Sequence, residues 1–265
     1  MKIECCPICG ENNFIKYGSY NGKQRYKCKK CGKTFSQNTN SLWSYSKKDL
    51  HIWIKFIELM MKRKSFRFCA EKLNINIATA FYWRHKILHI LKNDSMPSSL
   101  KGDIHINKTI LKENFKGNRN ITANRRRNIW VVAAKGNEDS MIVIPAFCDF
   151  WDWKLFKSKI YSKIQKGSYI VHYQDRYIYV QAKKHNKNIT KEVKSDDRVK
   201  YIIVNLGKWL GKFKGVATKY LDSYLSFFVL FNLDREIDYI DMISYLCCKN
   251  LFIKTQEIKI QQLKI

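Results

Sequence analysis

Hydrophobic residues recur along this chain with two different periods, and the change from one to the other divides it. Leu50, Trp53, Ile54, Ile57, Leu59 and Met60 return at the spacing of an amphipathic helix, and Ser46-Lys-Lys-Asp49 stands where such a helix is capped. Ser65 to Leu73 repeats the pattern through Phe66, Cys69, Ala70 and Leu73; Asn74-Ile75-Asn76 reads as a turn, and Ile77 to Leu91 as a longer helix. Helix, tight turn and helix, with small Ala70 at the crossing and Ile75 plugging the turn, is the helix-turn-helix pattern. An ordinary helical hairpin gives the same signal. In the DNA-binding version the second helix is the reader, and Thr79, Tyr82, Trp83, Arg84 and Lys86 offer it hydrogen-bonding, aromatic and basic groups.

Beyond the linker Pro97-Ser-Ser99 the period shortens to two. Asp103 to Ile110 puts Ile104, Ile106 and Ile110 on one face and Asp103, His105, Asn107 and Thr109 on the other. Asn128 to Ala134 and Met141 to Phe147 are further strands. A helix over Asp149 to Ile164, a strand over Ser168 to Tyr173, and helices near Tyr177 to His185, Val199 to Phe213 and Thr218 to Phe231 follow. The fold class expected is α+β and multidomain, with an element order in this part that ribonuclease-H-like domains share. The tail from residue 234 to 265 is amphipathic through Ile237, Ile240, Ile243 and Leu246, so it packs either on the last domain or on another chain.

Ahead of the helices stand Cys6-Pro-Ile-Cys9 and Cys28-Lys-Lys-Cys31, two pairs separated by eighteen residues. Two thiolate pairs at this spacing close a tetrahedral Zn²⁺ site with a β-hairpin between them. Gly10 and Gly32 follow each second Cys, where the backbone must turn tightly and a side chain would obstruct. Cys6, Cys9, Cys28 and Cys31 are therefore the expected metal ligands of a zinc ribbon, with Cys5 the one rival. Zinc of this kind holds together a segment too small to build its own core, so the site alone is compatible with any function. Cys5, Cys69, Cys148, Cys247 and Cys248 read as small hydrophobes in a reducing compartment.

Charge narrows the choice. Lys and Arg number 50 against 22 acids, a formal excess of +28 over 265 residues, which implies a polyanionic partner. On the ribbon, Lys23, Arg25, Lys27, Lys29 and Lys30 interleave with Tyr17, Tyr20, Tyr26 and Phe35, so basic groups can neutralise phosphates while rings brace the hairpin or stack on bases. Drift toward Lys in an AT-rich genome accounts for part of the excess but not for its clustering. The start Met-Lys-Ile-Glu-Cys lacks the apolar stretch of a signal peptide, and no apolar run approaches a membrane span. An intracellular chain, cytoplasmic or at the nucleoid, with no membrane partner is expected.

The ribbon with Tyr26-Lys-Cys-Lys-Lys-Cys-Gly-Lys-Thr-Phe35, then Lys72-Leu73 followed by Thr79-Ala-Phe-Tyr-Trp-Arg-His-Lys-Ile-Leu88, resembles the zinc-ribbon DDE transposases of bacterial insertion sequences, relatives of the eukaryotic Merlin elements. Phe115-Lys-Gly-Asn118, Trp209-Leu210 and Phe213-Lys-Gly-Val-Ala-Thr-Lys-Tyr-Leu221 extend the likeness to about Leu233. The resemblance implies a zinc ribbon (residues 1–40) and a helix-turn-helix domain (46–95) that recognise element ends. It further implies a ribonuclease-H-like domain (100–233) that cuts and joins strands, ahead of a helical tail (234–265). It also implies double-stranded DNA as partner and a homo-oligomer, since strand transfer needs two ends held together.

Strand transfer by such enzymes uses Mg²⁺ or Mn²⁺ held by carboxylates on adjacent strands. Where the resemblance places the first acid, this chain has Asn107-Lys108-Thr109; where it places the second, Gln174-Asp175, with Asp175 one position late and so aimed at the opposite face. The station on the last long helix holds Ile202, Ile203 and Val204. Asp103 lies too far along the strand to share an ion with residue 107, Asp196 and Asp197 precede the helix station by about two turns of helix, and His105, His172 and His185 are ligands by type only. Catalytic residues are thus unassigned. The reading is a transposase-like DNA-binding protein with its metal-binding acids replaced; the alternatives are an active metal-dependent transposase and a single-strand or RNA-binding zinc-ribbon protein.

Overall fold

The computed structural model describes residues 3–94, 96–116, 126–137, 140–171, 175–184, 188–190, 198–232, 237–248 and 251–263. Gln174, His172, His185, Asp196, Asp197, Asn118, Asn124, Leu233 and the side chain of Cys248 lie outside these. Two compact units form: one gathers residues 1–62, 66–90 and 238–259, the other 63–65, 91–237 and 260–265.

The first unit begins with an antiparallel sheet of β1 (Phe14–Tyr20), β2 (Lys23–Cys28) and β3 (Thr34–Ser36), of which β3 was not legible in the hydrophobic pattern. The register sets Lys16 opposite Tyr26 and Tyr26 opposite Phe35. Period-two alternation therefore collects Phe14, Tyr26 and Phe35 on one face, with ring centroids 5.4 to 5.7 Å apart. Tyr26 and Phe35 brace the sheet, whereas Tyr17 and Tyr20 are exposed.

Helices follow: α1 (Leu50–Met61), α2 (Phe66–Leu73) and α3 (Ile77–Asp94). Asp49 occupies the N-cap position of α1 without a side-chain hydrogen bond, and Ser46 Oγ instead accepts from Trp53 Nε1 at 2.9 Å. The turn from α2 to α3 matches its expected form. Asn74 takes φ +48°, Ile75 is buried, and the Asn76 side chain accepts from Ala78 N at 2.8 Å, capping α3. Trp53 of α1 and Trp83 of α3 stack at 3.7 Å, and Phe56 meets Trp83 edge-on at 5.5 Å, so the helices share an aromatic centre.

The second unit is a five-stranded sheet built from β4 (Asp103–Lys112), β5 (Asn128–Lys135), β6 (Met141–Cys148), β7 (Tyr169–Val171) and β8 (Asn188–Thr190), in the order β6-β5-β4-β7-β8. β4, β5 and β6 are antiparallel; β7 runs parallel to β4, and β8 parallel to β7. Its helices are α4 (Trp153–Lys159), α5 (Arg176–Lys184), α6 (Arg198–Gly211) and α7 (Leu221–Phe231). Parallel neighbours need crossovers, which α4 and α5 supply. The expected helix over Asp149 to Ile164 is shorter than its hydrophobic pattern: Asp149 takes φ +54°, Asp152 caps α4, and residues 161–163 form a single 3-10 turn. β8 was not foreseen, being three residues too short to show a period.

Ile104, Ile106, Val132, Ala134 and Ile142 form one buried core with Phe156 of α4 and with Ile178 and Ala182 of α5. The alternate residues face the other way, where α6 packs on β4 and β5 and α7 on β6. β5 is consequently apolar on both faces, with Ile129, Val131, Val132, Ala133 and Ala134 all fully buried. Ala146 is the extra residue of a bulge opposite Trp130 and Val131, and Lys159 Nζ donates to the carbonyls of Ala146 (2.9 Å) and Pro145 (3.3 Å) beside it.

The tail forms α8 (Tyr239–Cys248) and α9 (Thr255–Ile260) and joins the first unit rather than the second. α8 packs on α1, and Met242, Leu246, Ile253 and Ile258 are buried. Phe252 lies 5.5 Å from the Tyr45 ring, with Lys86 Nζ 4.9 Å above its own ring. Four buried apolar side chains at about 1.5 to 3 kcal/mol each are a large share of a marginal unit's stability. Truncation after residue 237 is expected to lower the melting midpoint of the N-terminal unit and expose α1 to a hydrophobic dye; an unchanged melt would refute that role for the tail.

Candidate metal centre and nucleic-acid interface

Each cysteine pair sits in the same backbone loop. Gly10 N donates to Cys6 O at 2.9 Å and Gly32 N to Cys28 O at 3.0 Å, while Cys6 N and Cys28 N donate to the carbonyls of Glu11 and Lys33. Both glycines have positive φ, +76° and +69°, with open space where a Cβ would stand. The requirement is thus left-handed backbone and not room, which corrects the steric expectation.

The four sulfurs lie within 4.8 Å of one another, with Cys6 to Cys31 at 3.9 Å and Cys9 to Cys28 at 3.6 Å. A tetrahedron with Zn–S near 2.3 Å has edges of about 3.8 Å, which the Cys6 to Cys31 and Cys9 to Cys28 separations match, so the set is compatible with a zinc ion. Cys5 is outside the group. Backbone N–H groups of Cys31 and Lys30 directed at Cys28 hold its thiol below the usual range, while at Cys9 the backbone hydrogen bond from Glu11 is outweighed by desolvation and the neighbouring Cys31, Cys28 and Cys6 sulfurs, which push the thiol up. Among the described residues no second group of three or more His, Cys, Asp or Glu side chains gathers in this way.

The basic residues of the sheet divide by strand position. Arg25 and Lys27 share the face opposite the aromatic cluster: Arg25 Nη2 donates to Thr34 Oγ1 at 2.6 Å, and Lys27 Nζ stands 5.3 Å over the exposed Tyr17 ring. Lys29 and Lys30 project from the second cysteine loop, where Lys30 pairs with Glu11 at 3.4 Å. Lys23 borders a cleft of about 620 Å³ that Gln24, Trp43, Lys48 and Trp53 also line. The result is a surface on which exposed Lys23, Lys29 and Lys30 and half-buried Arg25 and Lys27 stand near exposed Tyr17 and Tyr20.

On α3 the arrangement departs from expectation. Trp83 is only 6% exposed and Arg84 is completely buried, the latter with its guanidinium 4.2 Å over the Phe66 ring and Nη2 4.0 Å from Cys69 Sγ. Neither can reach a phosphate or a base. Both belong to the interior, because positions 83 and 84 face α1 and α2. Thr79, Tyr82 and Lys86 are half-buried; burial lowers the Lys86 ammonium's pKa. The exposed residues at the start of this helix are Asn76, Ile77 and Ala78, ahead of the 79–86 segment.

At the β4 end of the second unit, Lys108 and Asp175 meet. Lys108 Nζ is 2.7 Å from Asp175 Oδ2 and donates to Oδ1 at 3.0 Å, with side-chain exposures of 15% and 21%. Asp175 Oδ1 also accepts from the backbone N–H groups of Tyr177 (2.9 Å) and Ile178 (3.2 Å), so the same carboxylate caps α5. Lys108 shares the Ile104 and Ile106 face, whereas Asn107 takes the opposite one with His105 and accepts only the Lys108 backbone N–H. Asn107 and Asp175 therefore do not converge on one ion. Ile202 is buried, Ile203 half-buried and Val204 exposed, an apolar set with no metal donor. The sequence Asn124-Arg-Arg-Arg127 is a basic run, and its Arg127 pairs with Glu113 at 2.8 Å, where the β4–β5 hairpin begins.

Three rings surround the Lys108 ammonium: Trp151 at 4.3 Å, Tyr177 at 4.5 Å and Trp130 at 5.6 Å. None was singled out in the sequence. They come from β5, the segment before α4, and α5, and no local pattern links them.

The chain is 27% identical over 125 residues to an uncharacterized protein in transposable element ISH50 of Halobacterium salinarum. That stretch is 47% of this chain and 42% of the relative, so the chain spans less than half of the protein it matches. No protein-family model matches. The similarity relates this chain to the protein complement of an insertion element and agrees with a transposase-related origin. Among the described residues no helix is long and apolar enough to cross a membrane.

Proposed function

We propose that this chain is a transposase-related protein that binds double-stranded DNA at insertion-element ends and does not cut or join strands. The observation that carries the second half is the Lys108 to Asp175 ion pair: the carboxylate nearest to a catalytic station is engaged by a lysine, and a cation could approach it only against that charge. Supporting the first half are the zinc-compatible cysteine set, the exposed Lys29 and Tyr17 and half-buried Arg25 and Lys27 around it, and the α2-turn-α3 unit with Ile75 buried in its turn. The order β6-β5-β4-β7-β8, antiparallel then parallel, supports a ribonuclease-H-like reading of the second unit. A homodimer holding two element ends completes the proposal.

Exposed Tyr17 and Tyr20 beside cations favour a second reading, a single-strand binder using stacking. Binding titrations on duplexes from the DNA flanking the gene separate the two. For Z phosphate contacts, log K falls against log salt with a slope of about −0.9Z on duplex and about −0.7Z on single strands. Tighter duplex binding with the steeper slope, and no nick with Mg²⁺ or Mn²⁺, is the expected result. Metal-dependent nicking would overturn the inactive assignment, and preference for single strands would overturn the duplex one.

A further inference from the structure

We propose that the pocket formed by Asp175, Trp130, Trp151 and Tyr177 is an ammonium-binding site, occupied in cis by Lys108. The proposal is independent of the DNA-binding half of the proposed function and shares with its inactive half the Lys108 to Asp175 pair. The Lys108 side chain is only 15% exposed, and a cation drawn partly out of water needs other groups to replace the lost solvation. Here the replacement comes from one carboxylate and three ring faces. The rings are held by one another: Trp130 meets Trp151 edge-on at 5.4 Å, and Trp151 stacks on Tyr177 at 5.8 Å. Trp153 braces the far side at 5.2 Å from Trp151 and 5.8 Å from Tyr177.

The ligand set selects the class of cation. Mg²⁺ demands about six oxygen donors at roughly 2.0 to 2.1 Å in an octahedron, and Mn²⁺ likewise favours oxygen-rich coordination. This pocket offers one carboxylate already accepting two backbone N–H groups, and its other walls are π faces. Ring faces attract a large, weakly hydrated organic cation through their quadrupole and give nothing to a small divalent ion beyond what its water shell offers. The site therefore takes primary alkylammonium in preference to a divalent metal, and the chain supplies one from β4.

Removal of the tether tests this. Lys108→Ala keeps Cβ and deletes three carbons and the nitrogen, the volume of n-propylammonium. The variant is expected to melt lower than the parent protein, and n-propylammonium chloride is expected to restore its midpoint by several degrees while leaving the parent unchanged. n-Propanol, MgCl₂ and MnCl₂ at matched concentration should restore it at least tenfold less effectively, and Lys108→Ala/Asp175→Asn should lose the response to propylammonium. Equal rescue by n-propanol would mean a plain cavity, and rescue by Mg²⁺ or Mn²⁺ a metal site; either overturns the proposal. Should Lys108→Ala fail to fold, Lys108→Met and Asp175→Asn replace it. Their double variant is expected to melt no lower than the worse single one, and additive losses would overturn the site.

Discussion

Replacing Cys28 with Ser, or stripping the protein with a chelator, is expected to abolish the three-stranded sheet of the first unit. Apart from the four cysteines, the hydrophobic support of this sheet is Phe14, Tyr26 and Phe35 with Ile3 against them. Aromatic pairs contribute about 0.5 to 1.5 kcal/mol each beyond burial, whereas structural zinc binds such sites with an apparent 10 to 16 kcal/mol at neutral pH. The metal term exceeds the ring-pair term several-fold, and Phe14, Tyr26 and Ile3 are only partly buried, so the strands are not expected to hold once the metal is lost. Protons compete for the same sulfurs, and acidification should act in the direction of chelation. Metal analysis should give one zinc per chain for the parent and far less for Cys28→Ser. Near-UV circular dichroism should lose the ribbon's aromatic signal, and duplex affinity should fall with it. A folded, metal-free sheet would show that the cysteines are not ligands. The helical part has its own aromatic centre, so far-UV helical signal should largely survive.

Trp83→Ala should be severe for a different reason. Trp83 is stacked 3.7 Å from Trp53 at an interplanar angle of 15° and touched edge-on by Phe56, inside the centre that joins α1 to α3. Truncating a buried aromatic of this kind costs about 3 to 5 kcal/mol, which for a unit of this size is a fall of roughly 12 °C or more in melting midpoint. Loss of DNA affinity should track the unfolded fraction, because the indole has no surface from which to contact a base. Were Trp83 a reading residue, the opposite would hold: the variant would melt normally and bind weakly. Replacing Lys27 with Ala supplies the contrast, with weaker binding across all sequences, a shallower salt slope and little change in melting.

The difference between Trp83 and Lys27 marks how far the sequence could be read. The period of apolar residues located α1, α2, α3, β4, β5 and β6 to within a few residues, because amphipathic patterns are set by local geometry that each segment carries alone. It located the cysteine set for the same reason: ligand spacing within each knuckle is a local quantity, and the two knuckles repeat one another in backbone hydrogen bonding. It misassigned Trp83 and Arg84, since an aromatic or a guanidinium on a helix suits either a groove of DNA or a protein interior, and only the partner helices decide. Arg84 found Phe66 and Cys69. The exaggerated length of the helix near Asp149 to Ile164 has a related cause. Hydrophobic spacing continues through Ile160 and Ile164, which are buried in the sheet core, although the helix has ended.

By itself the sequence determined the local matters: which segments are helix or strand, where four paired cysteines stand, that positions 107 and 202–204 carry no metal-binding acid, and that 50 basic residues stand against 22 acids. Tertiary structure alone decided that the tail returns to α1, that Lys108 and Asp175 meet on the face Asn107 does not share, and that Trp130, Trp151 and Tyr177 close around the ammonium. Those groups are separated by up to 69 residues, from Lys108 to Tyr177 (177 − 108). Contacts at that range are fixed by strand order and register, which depend on every element packing at once and leave no periodic trace in any one of them.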